Sequence, residues 1–330
     1  MPLDKLEEYV HTKIKRSDRV LKIKSKPLGT QGAKFLAKSP LLRNLKTLVL
    51  NDTHIGDEGV RALANSKILT NLVSLHLGNN GITDAGVRAI AKSKTFSQLR
   101  ELDLYRNQIG NDGAMALANS ENLTQLTKLY LGFNSIGDEG AIRLTGSTKL
   151  ENMEKLEMVQ NPLGERGKVA CDKFSLKQKF KALKKSGTLS NLEKHFIGDI
   201  GVIALLETPF PDDLIELNLN ENNLTDNAVI ALANSDKLDN LESLDLTGNQ
   251  IHDEGAMALA KTQSLKSLKV LILDFNYIGD EGAKALASSG NLTHLKILKL
   301  EENQIGTVGE MALANSKTLT NLTRPVFGFH

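Results

Sequence analysis

The chain has 330 residues, 41 Lys and Arg against 39 Asp and Glu, and a net charge of +2, so no global field favours nucleic acid or an anionic membrane. Trp is absent and aromatics are only 4% of the residues, which excludes one large aromatic core and suits many small layers of Leu, Ile and Ala. A single cysteine, Cys171, excludes an intramolecular disulfide and points to a reducing compartment.

The first residues, MPLDKLEEYVHTKIKR, lack the basic-then-apolar pattern of a leader and are expected to form a helical cap over 1–17. No apolar run nears the ~18 residues of a membrane span. The expected location is cytoplasmic, or inside a host cell after delivery by a specialised bacterial secretion system.

Self-similarity dominates the rest. Leu45, Leu72, Leu99, Leu126 and Met153 are spaced by 27 residues, and so are Leu214, Leu241, Leu268, Leu295 and Leu322. Length alone would suggest two domains, but a repeat array grows as one elongated domain. One step back from Leu45 gives a degenerate unit from Asp18, with Val20 to Ile23 as its strand. Between Met153 and Leu214 the spacing predicts one 34-residue unit and a weak unit from Gly187. Eleven units over 18–321 result, with an insertion at 164–196 and a partial repeat at 322–330.

The clearest unit, LRELDLYRNQIGNDGAMALANSENLTQ, has two periods. Leu99, Leu102, Leu104 and Ile109 alternate inward from a short strand, leaving the residues between them exposed. Asn107 and its equivalents Asn80, Asn134, Asn161, Asn222, Asn249, Asn276 and Asn303 are placed to satisfy buried turn backbone between layers. Lys26, Thr53 and His195 interrupt that ladder. In the helical half, IGDEGAxALANS, the Asp (Asp57, Asp138, Asp253, Asp280) is expected to be the N-cap. The Gly two residues later, replaced only by Ala228, suggests close approach between neighbouring helices, despite its cost of about 1 kcal/mol in a helix.

The pattern LxxLxLxxNxIGxxGxxxLA resembles the ribonuclease-inhibitor-like class of leucine-rich repeats over 18–321. That resemblance implies an α/β solenoid shaped as a horseshoe, with parallel strands on the concave face, helices on the convex face and about eleven repeats. The short unit and the recurrent GDEGAxALANS are similar to leucine-rich-repeat effectors of intracellular bacteria. Ribonuclease inhibitor is cysteine-rich with longer alternating repeats, so its target is not carried over.

Exposed strand positions vary strongly between units and are the candidate interface. Eleven strands about 4.8 Å apart would give an arc of roughly 50 Å, suited to a protein surface. His76, Asp103, Tyr105, Arg106, Lys128, Tyr130 and Phe133 form one group, and Ile272, Asp274, Phe275 and Tyr277 a second. Tyr and Arg are favoured interface anchors. Acids gather on later strands (Glu157, Glu193, Glu216, Glu221, Asp245, Asp274, Glu301, Glu302), whereas the first strand carries Lys22 and Lys24. Lysines 168, 173, 177, 179, 181, 184 and 185 in the insertion would extend an outer helix and bend or twist the array, or offer a basic contact surface.

No reaction chemistry, metal or cofactor is expected. Cys171 falls on a core Leu position, and the histidines do not pair at metal spacing. The DEG triplets lack calcium-loop spacing. The sequons at Asn122 and Asn291 belong to the repeated NLT turn. The sequence thus predicts a monomeric protein-binding module whose concave face captures one protein and masks an enzyme. The alternatives are an activator of a GTPase and a self-assembling solenoid joined through Val326, Phe327 and Phe329 beside Pro325. The Ran GTPase activators also resemble this repeat class, but a long acidic tail like theirs is missing here.

Overall fold

A computed structural model describes residues 1–16, 19–211 and 213–323. Pro325, Val326, Phe327 and Phe329 lie outside them. The chain divides into two compact units, Met1–Ser175 and Leu176–His330.

The first unit starts with α1 (Leu3–Arg16), which buries Leu6 and Val10 on one face. Strand and helix then alternate as β1 (Val20–Lys22), α2 (Gly29–Lys38), β2 (Thr47–Val49), α3 (Gly56–Ala64), β3 (Ser74–His76), α4 (Asp84–Ala91), β4 (Glu101–Asp103), α5 (Asn111–Ala118), β5 (Lys128–Tyr130), α6 (Asp138–Thr145) and β6 (Lys155–Glu157). The strands form one parallel sheet in chain order. A long helix, α7 (Glu165–Ser186), contains the division between the units. The second unit continues with α8 (Gly198–Leu206), β7 (Glu216–Asn218), α9 (Asp226–Ala233), β8 (Ser243–Asp245), α10 (Asp253–Lys261), β9 (Val270–Ile272), α11 (Asp280–Ala287), β10 (Ile297–Lys299) and α12 (Thr307–Ala314). Its four strands form a second parallel sheet.

The expected single row of eleven strands is therefore replaced by sheets of six and four. The weak unit from Gly187 forms no strand among the described residues, only a bridge between Asn191 and Asn218. The eleven-unit count survives in the backbone. The turn after each strand position holds a left-handed residue at 25, 52, 79, 106, 133, 160, 194, 221, 248, 275 and 302. These steps are 27 residues except the one of 34 across α7.

The inward positions are consumed by packing, with Leu99, Leu102, Leu104 and Ile109 all fully buried. Each such side chain contributes about 1.5–3 kcal/mol by leaving water. Polar side chains then join one repeat to the next. Asn134 Nδ2 donates to the carbonyls of Leu104 (3.0 Å) and Leu131 (2.9 Å), while its Oδ1 accepts from Ile109 N (3.0 Å). Thr53, at an interruption, bonds Leu50 O and Asn80 instead. His195, at another, has a buried Nδ1 without a partner among the described residues, and burial and Lys179 depress its proton affinity.

The motif aspartates do not cap their own helices. Gly137, His252 and Gly279 hold the N-cap positions of α6, α10 and α11. The carboxylate instead caps the helix of the following repeat: Asp138 Oδ1 accepts from Gly164 N (2.7 Å) and Gly167 N (3.0 Å). Asp253 does the same for Gly279 and Gly282. This explains the recurrent glycine, because a Cβ on Gly167 would lie 2.5 Å from Asp138 Oδ1. Where Ala228 replaces it, its N–H turns to Thr225 O at 3.1 Å. A third connection runs from the Ser or Thr after several of the helices: Ser120 Oγ donates to Ala91 O at 2.6 Å and Ser289 to Ala260 O at 2.6 Å.

In α6, a Cβ on Gly140 would meet Asn111 Oδ1 at 2.7 Å and Ala114 Cβ at 3.0 Å. Gly140→Ala should therefore destabilise by about 1–3 kcal/mol, against alanine's helix advantage of about 1 kcal/mol. Gly290, with open space around a Cβ, is the control, and its alanine variant should change stability by less than about 0.5 kcal/mol in the same denaturant titration.

Candidate functional site

Parallel register aligns side chains of the first sheet into rows across the strands, half-exposed except for the buried Val49 and the exposed Lys128 and Lys155. Val49, His76, Asp103, Tyr130 and Glu157 form one row. Thr47, Ser74, Glu101, Lys128 and Lys155 form the next. Six strands about 4.8 Å apart make this sheet roughly 25 Å wide.

The register brings the first predicted group together. His76 Nδ1 lies 3.3 Å from Asp103 Oδ2, and its Nε2 lies 2.8 Å from Ser74 Oγ and 3.9 Å from Glu101 Oε1. Burial opposes the charge on Asp103, but hydrogen bonds from His76 and from Tyr105 N (2.9 Å) overcome it and hold the carboxyl below its ordinary range. Tyr105 and Phe133 pack ring to ring at 5.0 Å in a tilted arrangement. Lys155 Nζ sits 4.9 Å from the centre of the Tyr130 ring. His76, Glu101, Asp103, Tyr105, Tyr130 and Glu157 line an open cavity of about 190 Å³. Glu101, Ser74 and Lys155 were not singled out from sequence, although they occupy one column of the 27-residue register.

Arg106 (φ 55°) and Phe133 (φ 55°) hold the left-handed turn position in their units. Bulky side chains are uncommon there, and the conformation costs about 1 kcal/mol or more. Gly248 occupies the same position in another unit, so the turn accepts glycine. The backbone forces these side chains outward: Arg106 is exposed and Phe133 is 43% exposed.

The second predicted group does not converge as the first does. Phe275, again left-handed (φ 57°), is 59% exposed. Asp274 is buried and used internally, its Oδ1 accepting from Glu301 N at 2.8 Å. Tyr277 belongs to the following turn and stacks on His252 at 5.2 Å. Burial, Glu301 and Asp245 raise the Asp274 carboxyl above its ordinary range.

Cys171 is half-buried beside Met158, with its Sγ 3.9 Å from Met158 Sδ, and burial and Asp172 push its thiol up to about 11. It is a poor nucleophile at neutral pH. In α7, Lys177 pairs with Glu207, and Lys184 Nζ donates to Phe210 O at 3.1 Å, so part of the lysine-rich stretch is spent on packing. No helix among the described residues is long and apolar enough to cross a membrane.

A family model described as Leucine Rich repeat matches residues 42–64, 69–91, 98–118, 122–144, 213–233, 238–260, 264–287 and 291–314, more than half of the chain. The chain belongs to the leucine-rich repeat family. The gap in the match, 145–212, holds α7 and the weak unit of this leucine-rich-repeat chain. No curated protein matches the sequence. Among solved structures, the chain is similar to one in the Rad7 and Elc1 complex of yeast (16% identity, 99% of this chain and 85% of that one, TM-score 0.32). It is also similar to an internalin of Listeria monocytogenes (18%, 98% and 94%, TM-score 0.31). A third likeness is to leiomodin-1 actin-binding site 2 (16%, 56% and 94%, TM-score 0.33).

The two aspartates should respond oppositely to neutralisation. Asp103 is more acidic folded than unfolded, so its stabilisation is present above about pH 4 and is lost as pH falls through its folded value. Asp103→Asn should lower the melting temperature at pH 7 and lower it less at pH 3. Asp274 is less acidic folded, so its ionisation above about pH 4 costs stability. Asp274→Asn should leave the melting temperature at pH 7 unchanged or higher. Scanning calorimetry at both pH values checks the pair; equal losses from both variants would overturn the electrostatic assignment.

Proposed function

We propose that the strand face of the first sheet captures a protein partner through Tyr105, Arg106, Tyr130 and Phe133. Repeats of this family commonly mediate protein–protein contact. The observation that carries the reading is the exposure of Arg106 and Phe133 on left-handed backbone, at a position where glycine is accepted elsewhere in the array. Local stability does not require a large side chain there. Phe133 gains a ring contact with Tyr105 worth about 0.5–1.5 kcal/mol, and it offers an aromatic anchor to a partner.

With its turns, the face suits such a contact in size and rigidity. A standard interface takes about 800 Å² per partner, whereas strands of three residues in a sheet roughly 25 Å wide present only about 250 Å², so the contact must extend onto the turns where Arg106 and Phe133 stand. Its side chains stand on a frame held by inter-repeat hydrogen bonds, so little ordering cost opposes association. The second sheet adds Phe275 as a separate exposed anchor. A partner enzyme bound over its active site would be inhibited by masking, which is the ribonuclease-inhibitor-like part of the proposal. Action inside a host cell, as a bacterial effector, rests on the likeness of the GDEGAxALANS motif.

Phe133→Gly separates binding from folding, because glycine adopts positive φ without strain. We expect its melting temperature to stay within a few degrees of the parent chain. A protein retained by the immobilised parent chain and identified by mass spectrometry should be lost from Phe133→Gly and from the Tyr105→Ala, Arg106→Ala, Phe133→Ala combination. Equal retention by folded variants would remove the first strand face from the interface.

A further inference from the structure

We propose that the cavity lined by His76, Glu101, Asp103, Tyr105, Tyr130 and Glu157 seats one arginine side chain of the protein partner. This rests on the protein-binding role of the same face. At about 190 Å³ the cavity is smaller than the ~300–1,000 Å³ of typical small-molecule pockets and is scaled to a single side chain. Its chemistry selects a cation. Three carboxylates and two tyrosines line it, and a row of parallel strands holds them in register.

Two further observations support a planar cation. Lys155, from the neighbouring strand, already places its ammonium over the Tyr130 ring, so that ring face is attractive to positive charge. At Gly132, adjacent to the cavity wall, a Cβ would lie 2.9 Å from Val159 Cγ1 and 3.2 Å from both Glu157 Oε1 and Tyr105 Cδ2. A side chain there would crowd this wall of the cavity, which glycine leaves clear. A guanidinium stacks on an aromatic face while donating in its plane to carboxylates, which the compact ammonium of lysine cannot do. Asp103 is engaged by His76 and Tyr105 N, and Glu101 already lies beside Ser74 and His76, so Glu157 is the principal outer acceptor.

The assignment makes Lys155 a competitor for the seat, and this yields a gain of affinity that loss of folding cannot mimic. The probe is N-acetyl-arginine amide, titrated into the full chain and followed by amide NMR, with N-acetyl-lysine amide and the uncharged N-acetyl-citrulline amide alongside. Arginine should shift amides confined to β3, β4, β5, β6 and the turns after them. Glu157→Gln should weaken it about threefold to tenfold, and Lys155→Met should tighten it by a similar factor. Citrulline or lysine binding as well as arginine, scattered or absent shifts, or an unchanged Lys155→Met variant would each overturn the proposal. Should arginine fail while Phe133→Gly still releases the captured protein, the strand-face interface stands without the arginine seat. Should arginine bind while Phe133→Gly retains the protein, the seat stands and the aromatic anchor falls.

Discussion

Successive repeats in this chain complete one another's backbone hydrogen bonds: many turns and helix starts among the described residues are closed by a side chain of a neighbour. Three side chains do this at three heights of the repeat. An asparagine bridges the turns after consecutive strands, as Asn134 does between Leu104 and Leu131. An aspartate early in one helix receives the first amides of the next, as Asp138 does for Gly164 and Gly167. A serine after one helix donates to the last carbonyls of the previous one, as Ser120 does to Ala91. Buried backbone groups without partners are costly, so a repeat deprived of its neighbour is destabilised at all three points.

This dependence explains why the repeat length is so strict. The separation between each donor and acceptor is fixed by the unit, and a residue more or less would misalign three connections at once. The array changes length only where the connections lapse. Between the turn at Gln160 and that at Lys194 the step grows to 34 residues, α7 runs to 22 residues, and the Asn position is taken by His195 with an unpartnered Nδ1. The first sheet ends before this stretch and the second begins after it.

Because core and connecting positions are spoken for, chemical variety is confined to the strand face and to the left-handed turn residue. On the first sheet these two places meet. Register puts His76, Asp103, Tyr130 and Glu157 in one row, and the turn residues Arg106 and Phe133 stand at its edge. The second sheet shows the contrast: Asp274 is drawn inward to bond Glu301 N, leaving Phe275 more isolated. Similar residue types at equivalent positions therefore form a cluster in one unit and not in the other.

Much of this was legible in the residues alone. The 27-residue spacing identified the strands, the helices, the buried leucines and the asparagine ladder, because a side chain that recurs at fixed separation in a stacked array must meet its own copies. The exposed aromatic group was legible too, since alternation along a strand assigns Tyr105, Tyr130 and their neighbours to one face. What sequence could not reveal was where the partner of each polar group lies. Asp138 looked like the cap of its own helix, and only the stacking showed that it caps the next, because the distance that decides between them is spatial, not sequential. The same holds for the cavity: Glu101 and Lys155 are unremarkable along the chain, and they matter because parallel register sets them beside His76 and Tyr130. The repeat determined which side chains face outward; the packing of neighbouring strands decided which of them share a site.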